Sequence, residues 1–454
     1  MLEGYLPETA ADIERLSAAE RAEGWRLACQ ARVSGDIALE VTPSSGLILA
    51  DDTPFSFEPG RGYGVAVDLG TTTVVAQLLD LSSARIVATQ AALNPQARFG
   101  ADVMSRINMA LDPAGAEKLR TAVRKKVAEM VGHLAKSLPE DASITRATMV
   151  GNTPMHHLFI GHDIKPLAWY PFETGHLEGM WWKGAEIGWA GRAQDAEVFF
   201  LPNLGGFVGS DIAGVILATR MCESAEVTGA ADLGTNGEIA FCNSEFVCVA
   251  STAAGPAFEG ARIKQGMRAA SGAIDRVSLN EGSLSVHVIG GVKPRGICGS
   301  GLVDAVACGL EMGEIDVSGR MKSDRFVLRE PVALVKSDVR ELQLAKGAIA
   351  AGIKIIMAEM GIAADKLARF NLAGAFGNSL DVINSGKIGL IPFPPEQVRP
   401  VGNAALLGAK MVLFMPSQGE ERLKAIKSRV RHFSLERSVD FQDSFAENML
   451  FGEE

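Results

Sequence analysis

At 454 residues, 47% hydrophobic and 22% charged, the chain is long enough for two to four domains with sizeable cores. Asp plus Glu outnumber Lys plus Arg by 54 to 44, a net charge of −10, and no basic run interrupts that balance. Nucleic acid and anionic membrane surfaces are therefore excluded as partners.

No run approaches the 18 apolar residues of a membrane span, and Met1-Leu2-Glu3-Gly4-Tyr5 lacks the basic-then-apolar order of a signal peptide. The six cysteines (29, 222, 242, 248, 298, 308) form no C-x-x-C pair. Buried thiols in a reducing compartment are expected, rather than a disulfide frame or a zinc site. The expectation is a soluble, cytoplasmic protein.

Residues 1–42 read as a fragment: a charged helical pattern from Ala18 to Leu27, then Cys29, then an alternating strand at Ile37-Ala38-Leu39-Glu40-Val41. It holds too few apolar residues to fold alone. Residues 43–62, rich in Ser, Pro, Gly and Asp, read as a linker. A first domain, 63–227, opens with strands near 64–68, 74–80 and 86–91. An amphipathic helix follows over Ala116–Ser137, with Leu119, Val123, Val127, Met130, Val131 and Leu134 on one face. A strand through Ala147–Val150 leads to Gly151-Asn152-Thr153. Trp169 to Trp189 is aromatic-rich and irregular, an exposed hairpin or a partner surface. A helix opens near Ser210-Asp211, its small residues Gly209, Ala213 and Ala218 permitting a close crossing.

The second domain, 228–454, repeats the opening. Val67-Asp68-Leu69-Gly70-Thr71-Thr72-Thr73 and Ala231-Asp232-Leu233-Gly234-Thr235-Asn236-Gly237 each end an apolar run with an aspartate and turn on Gly-Thr. Each reads as a strand–turn–strand in which glycine admits the turn and lets backbone amides approach an anion. Strands at 237–242 and 246–250 follow, then a glycine-rich insertion at about 251–335. A helix starts near Asp338, with Glu341 as a capping-box partner. A strand at Phe370–Ala373 turns at Gly374–Asn378, and a small-residue helix from Val401-Gly402-Asn403 is the crossing partner of the one near 209.

These pieces resemble the actin, sugar-kinase and chaperone-ATPase superfamily. The resemblance implies an α/β protein of two ribonuclease-H-like (actin-like ATPase) domains, each a five-stranded sheet with helices, closed around ATP. Longer phrases, Asp232 to Ile239, Ser251 to Gly260, Gly296 to Gly301, Gln343 to Ile349 and Leu372 to Gly377, resemble the reductive activators of corrinoid-dependent methyltransferases and corrinoid iron–sulfur proteins, over essentially 63–454. That resemblance implies ATP-dependent reduction of cob(II) to cob(I) on a corrinoid protein serving its methyltransferase, with a homodimer expected. It also implies an N-terminal [2Fe–2S] ferredoxin domain, of which Gly24 to Gln30 resembles the tail, with Cys29 as last ligand. One thiolate cannot hold a cluster, so this chain alone does not support it. Either the start is truncated, or a separate ferredoxin or flavoprotein supplies the electron. The alternatives are a small-molecule kinase of the same superfamily and a nucleotide-gated scaffold.

Asp68 and Asp232 are the candidates for Mg²⁺, mainly through its waters. Gly70, Thr71, Thr72, Thr73, Gly234, Thr235 and Asn236 are candidates for the phosphates, and Gly374, Ala375 and Gly377 for adenosine. Lys346 is a candidate adenosine contact or a solvated lysine. Asp211 either orients the attacking water or satisfies a helix N-terminus. Glu238 and Glu259 are candidates for the same cleft without a catalytic role, and Asn152 is either cleft-facing or a turn-former. His156-His157 read as core or surface residues rather than metal ligands, and Cys298 as a buried small hydrophobe or a reactive thiol.

Overall fold

A computed structural model describes residues 6–15, 18–22, 24–26, 51–234 and 236–452. Cys29, the strand expected at 37–41, the first part of the linker and Thr235 lie outside the described residues.

Strands β1 (Tyr63–Leu69), β2 (Thr73–Asp80), β3 (Ile86–Leu93), β4 (Ile144–Val150), β5 (Met180–Lys183) and β6 (Glu197–Phe200) form one sheet in the order β3-β2-β1-β4-β6-β5. The first three pair antiparallel, and β4 and β6 add in parallel to β1. A parallel step needs a crossover, and helix Pro113–Leu134 supplies it. Asp112 caps that helix by accepting from the Gly115 amide, with proline in the first turn.

The second sheet repeats the plan. Strands β7 (Val227–Leu233), β8 (Gly237–Cys242) and β9 (Val247–Thr252) make the antiparallel meander. Between β9 and helix Lys336–Glu359 lies the insertion. It comprises β10 (Ala273–Asn280), β11 (Ser283–Val288) and β12 (Gly296–Ile297) in a small sheet, helix Gly299–Glu311, and the hairpin of β13 (Phe326–Arg329) with β14 (Val332–Leu334). Strands β15 (Leu367–Ala373), β16 (Val398–Pro400) and β17 (Val430–His432) complete the large sheet, in the order β16-β15-β7-β8-β9-β17.

Each sheet thus has one strand more than the expected five. β5 pairs along the outer edge of β6 and β17 along that of β9, covering edges that would otherwise offer unpaired amides. The aromatic stretch is only partly exposed, Trp169 at 67% while Trp189 is buried, and its one strand, β5, pairs with β6 rather than within the stretch. The long helix starts at Lys336, not Asp338. Asp338 is its third residue and accepts from the Val335 amide at 3.0 Å, so Glu341 has no capping part.

Side-chain alternation along the strands decides where each lobe's functional face lies. In β1, Val65, Val67 and Leu69 enter the first lobe's outer core, while Ala66 enters a second core shared between the lobes. In β7, Ala231 and Leu233 enter the second lobe's outer core, while Ala230 enters the shared one. Asp68 and Asp232 have the parity of Ala66 and Ala230, so the pleat aims both at the interior between lobes.

The shared core is built on helices Ser210–Thr219 and Ala404–Phe414, which cross at glycines. A Cβ on Gly408 would stand 2.3 Å from the Gly214 carbonyl oxygen. The crossing point is therefore Gly214, one turn beyond Gly209, which packs instead on Gly151 and Asn152. Residues 51–57, within the stretch read as a linker, are docked on helix Ala404–Phe414. Phe55 and Phe57 stack edgewise on Phe414, and the Lys410 ammonium pairs with the Asp51 carboxylate and donates to the Asp51 carbonyl at 2.7 Å. These two side chains are 1% and 2% exposed. Lys410→Ala leaves the Asp51 charge buried without its ammonium, and should cost about 3 kcal/mol or more in urea unfolding; an unchanged midpoint would show the pair to be energetically idle.

Candidate functional site

The two Asp-bearing hairpins face one another across the crevice between lobes. In the first, the Gly70 amide donates to the Thr73 carbonyl at 3.0 Å, closing the turn, and Asn94 holds it from behind, donating to the Gly70 carbonyl at 2.9 Å. The Asn152 amide donates to the Thr71 hydroxyl at 2.8 Å, and Arg106 donates to the Thr71 carbonyl at 2.7 Å. Thr72 donates across the crevice to both Glu259 oxygens, each at 3.2 Å. In the second hairpin the Gly234 amide closes on the Asn236 carbonyl at 3.0 Å.

Asp68 accepts from Asn403 at 2.9 Å. Asn403 also caps helix Ala404–Phe414 by accepting from the Leu406 amide, so one side chain ties that helix to the first hairpin. Asp232 lies against Gly374: a Cβ there would meet its Oδ1 at 2.4 Å, and Gly374 has φ +82°. Only glycine fits both constraints. Gly374 opens the short helix Gly374–Ser379, in which Ala375 is exposed and Gly377 packs on the Leu372 backbone.

The electrostatics follow from placing acids where water is scarce. Burial raises the Asp68 pKa to about 6, against the pull of the Asn403 hydrogen bond. Burial, then the charge of Asp68, raises Asp232 to about 7. Asp211, in the first turn of helix Ser210–Thr219, is raised to about 8 by burial and then by Asp232. Glu238, on β8, is pushed well up by burial and by Asp211 and Asp232. These carboxylates cannot all ionise at neutral pH without a cation among them. Among the described residues no three His, Cys, Asp or Glu side chains are grouped closely enough to hold a metal ion between them. Carboxylate oxygens are the donors a hard cation such as Mg²⁺ takes, one or two of them sufficing beside its waters.

The crevice therefore gathers Gly70, Thr71, Thr72, Thr73, Gly234, Asn236, Asp68, Asp211, Asp232 and Gly374. Lys346 stands apart: it is buried, its ammonium donates to the Leu450 carbonyl, and the Phe451 ring lies 5.7 Å away. Burial lowers its pKa to about 8. A ligand would reach it only after the C-terminal turn moved. His156 and His157 are buried in the first lobe, His157 bonding Thr153 and Thr174, and Cys298 is buried too. Sequence reading missed Arg106, Asn94 and Asn403. Arg106 is fully buried and donates to the carbonyls of Thr71 and Gly100 and to the Met155 sulfur. Nothing local marks it out. Asn403 did carry a signal, an Asn directly before a helix.

Two sheets of one plan, two crossing helices and facing acidic hairpins over a single crevice define an actin-like ATPase fold. The model for the C-terminal domain of RACo, its ASKHA domain, matches residues 226–454, and the model for the RACo middle region matches 63–224. The chain is 35% identical over 441 residues to the corrinoid activation enzyme RamQ of Eubacterium limosum, covering 90% of this chain and 74% of that one. It is 25% identical over 415 residues to the [Co(II) methylated amine-specific corrinoid protein] reductase of Methanosarcina barkeri, covering 84% and 76%. A solved reductive activator for corrinoid, iron–sulfur protein superposes with a TM-score of 0.78 at 34% identity, over 86% of this chain and 66% of that one. The chain thus belongs to the reductive activators of corrinoid proteins, and spans about two thirds of the length of that solved member.

Proposed function

We propose that this enzyme reduces the cob(II) centre of a partner corrinoid protein to cob(I) at the expense of ATP, and so returns a corrinoid-dependent methyltransferase to its cycle. The observation that carries the reading is the pair of aspartates aimed by strand parity at one interlobe crevice, in a chain whose relatives act on corrinoid proteins. Bound Mg²⁺ would neutralise the charge of the phosphates. This chain's residues do the rest. The Thr71–Thr73 turn and the Gly234–Asn236 turn donate to phosphate oxygens, and the Gly374 turn takes the adenosine. Asp211, once a cation lowers its proton affinity, orients the attacking water. Closure on ATP shifts the partner-bound population only as far as ATP binds the closed and open states unequally.

The described residues do not fit a [2Fe–2S] cluster. It needs four thiolates, whereas Cys242, Cys248, Cys298 and Cys308 are buried and Cys222 is half-buried, without a grouped set. A ferredoxin or flavoprotein is the proposed electron donor. No helix among the described residues is long and apolar enough to cross a membrane, and a cytoplasmic homodimer is the proposed working form. The test is cob(I) formation, followed spectroscopically with a purified corrinoid protein and a strong chemical reductant. ATP should raise the yield severalfold; equal yields with and without nucleotide would overturn the coupling.

A further inference from the structure

We propose that the turn Pro256–Glu259 senses the nucleotide at both ends, with the Glu259 carboxylate holding the place of the terminal phosphate until ATP arrives. This rests on the ATP reading above and adds to it the device that reports occupancy.

At the phosphate end, Thr72 donates to both Glu259 oxygens at 3.2 Å, a contact from the first lobe's hairpin to a segment of the second lobe. Beside it, Asn152 donates to the Thr71 hydroxyl, and Arg106 donates to the Thr71 carbonyl and feels the charge of Glu259. To a hydroxyl donor, a carboxylate and a phosphate present the same anionic oxygen. The single Thr72 hydroxyl proton can serve only one of them, and like charges a few ångströms apart repel. The terminal phosphate therefore takes Thr72 and expels Glu259.

At the other end, the preceding residue, Phe258, stacks on Phe376 with centroids 4.4 Å apart and planes 20° apart. Phe376 belongs to the Gly374–Ser379 turn proposed to hold adenosine. The four-residue turn is bracketed by Gly255 at φ +80° and Gly260 at φ +78°, which are natural pivots. Its movement is transmitted, because the Phe258 carbonyl oxygen would lie 2.1 Å from a Cβ on Gly299. Gly299 is the first residue of helix Gly299–Glu311, directly after β12. Displacing Glu259 thus pushes on the insertion, through contacts that involve no other part of the crevice.

The experiment is calorimetric titration of Mg-ATP and Mg-ADP into the full chain and its Glu259→Gln and Glu259→Ala variants, each first checked for parental melting. Removing a competing anion should tighten ATP about tenfold, while ADP, without the terminal phosphate, moves much less. Amide exchange over 273–311 should change on ATP addition in the parent, and be already changed in both variants without nucleotide. Unchanged or weaker ATP binding in a variant that melts like the parent overturns the sensor and leaves ATP binding intact. Equal shifts for ATP and ADP also overturn it. A parent that binds no ATP removes the nucleotide reading itself.

Discussion

Asp232→Asn is expected to stop ATP turnover while making the nucleotide-free chain harder to unfold above neutral pH. The carboxylate is half-buried beside Asp68 and Gly374, and burial with the Asp68 charge holds its pKa near 7. An unfolded aspartate titrates near 3.9. Between those values the folded chain binds more protons than the unfolded one, so stability falls as pH rises through that window, and the loss is complete above about 7. Asp68 and Asp211, with values near 6 and 8, act in the same direction. Asparagine cannot ionise and escapes this penalty, so the variant should melt about 2 °C or more above the parent at pH 8. At pH 5 the difference should shrink. The same substitution removes the anionic acceptor proposed for a hydrated cation, and phosphate release should fall about 10²-fold or more. A variant that turns over ATP at the parental rate, or melts below the parent at pH 8, would refute this account of the crevice.

Gly408→Val is expected to be among the most damaging single changes at a site far from any chemistry. The new Cβ would meet the Gly214 oxygen at 2.3 Å and its Cα at 2.4 Å, so two backbones must part rather than one side chain turn aside. Both helices belong to the core shared by the lobes. Separating them costs about 3 kcal/mol and should show as a lower urea midpoint together with loss of soluble yield. Gly132→Ala is the contrasting case. It lies exposed on helix Pro113–Leu134, nothing lies within 4 Å of its Cβ, and the substitution should stabilise by about 0.5–1 kcal/mol. If both changes proved neutral, close packing at Gly214 and Gly408 would not be what holds the lobes together.

Local chemistry was what sequence reading captured best. An aspartate ending an apolar run, then Gly-Thr, is a pattern whose strands, turn and side-chain parity are all short-range, and β1–β2 and β7–β8 form at those residues. The helix-start error at Asp338 arose because two acids three apart offer the same capping signal. Only the unmet amide of Val335 decides between them. The extra strands β5 and β17 were invisible because a three- or four-residue edge has no periodicity until a partner strand lends it one.

The sequence by itself determined the two matched halves, the acidic hairpins and the small-residue helices, since each depends on neighbours within a few residues. Tertiary structure alone decided that Asn403 reaches Asp68, that Glu259 reaches Thr72 and that Arg106 is buried under the first hairpin. The first two join residues 335 and 187 positions apart, and the third sets a charge against a backbone carbonyl. Chain spacing carries no record of either, because only the packing of elements against one another, within a lobe for Arg106 and between lobes for the other two, brings such groups within hydrogen-bond reach.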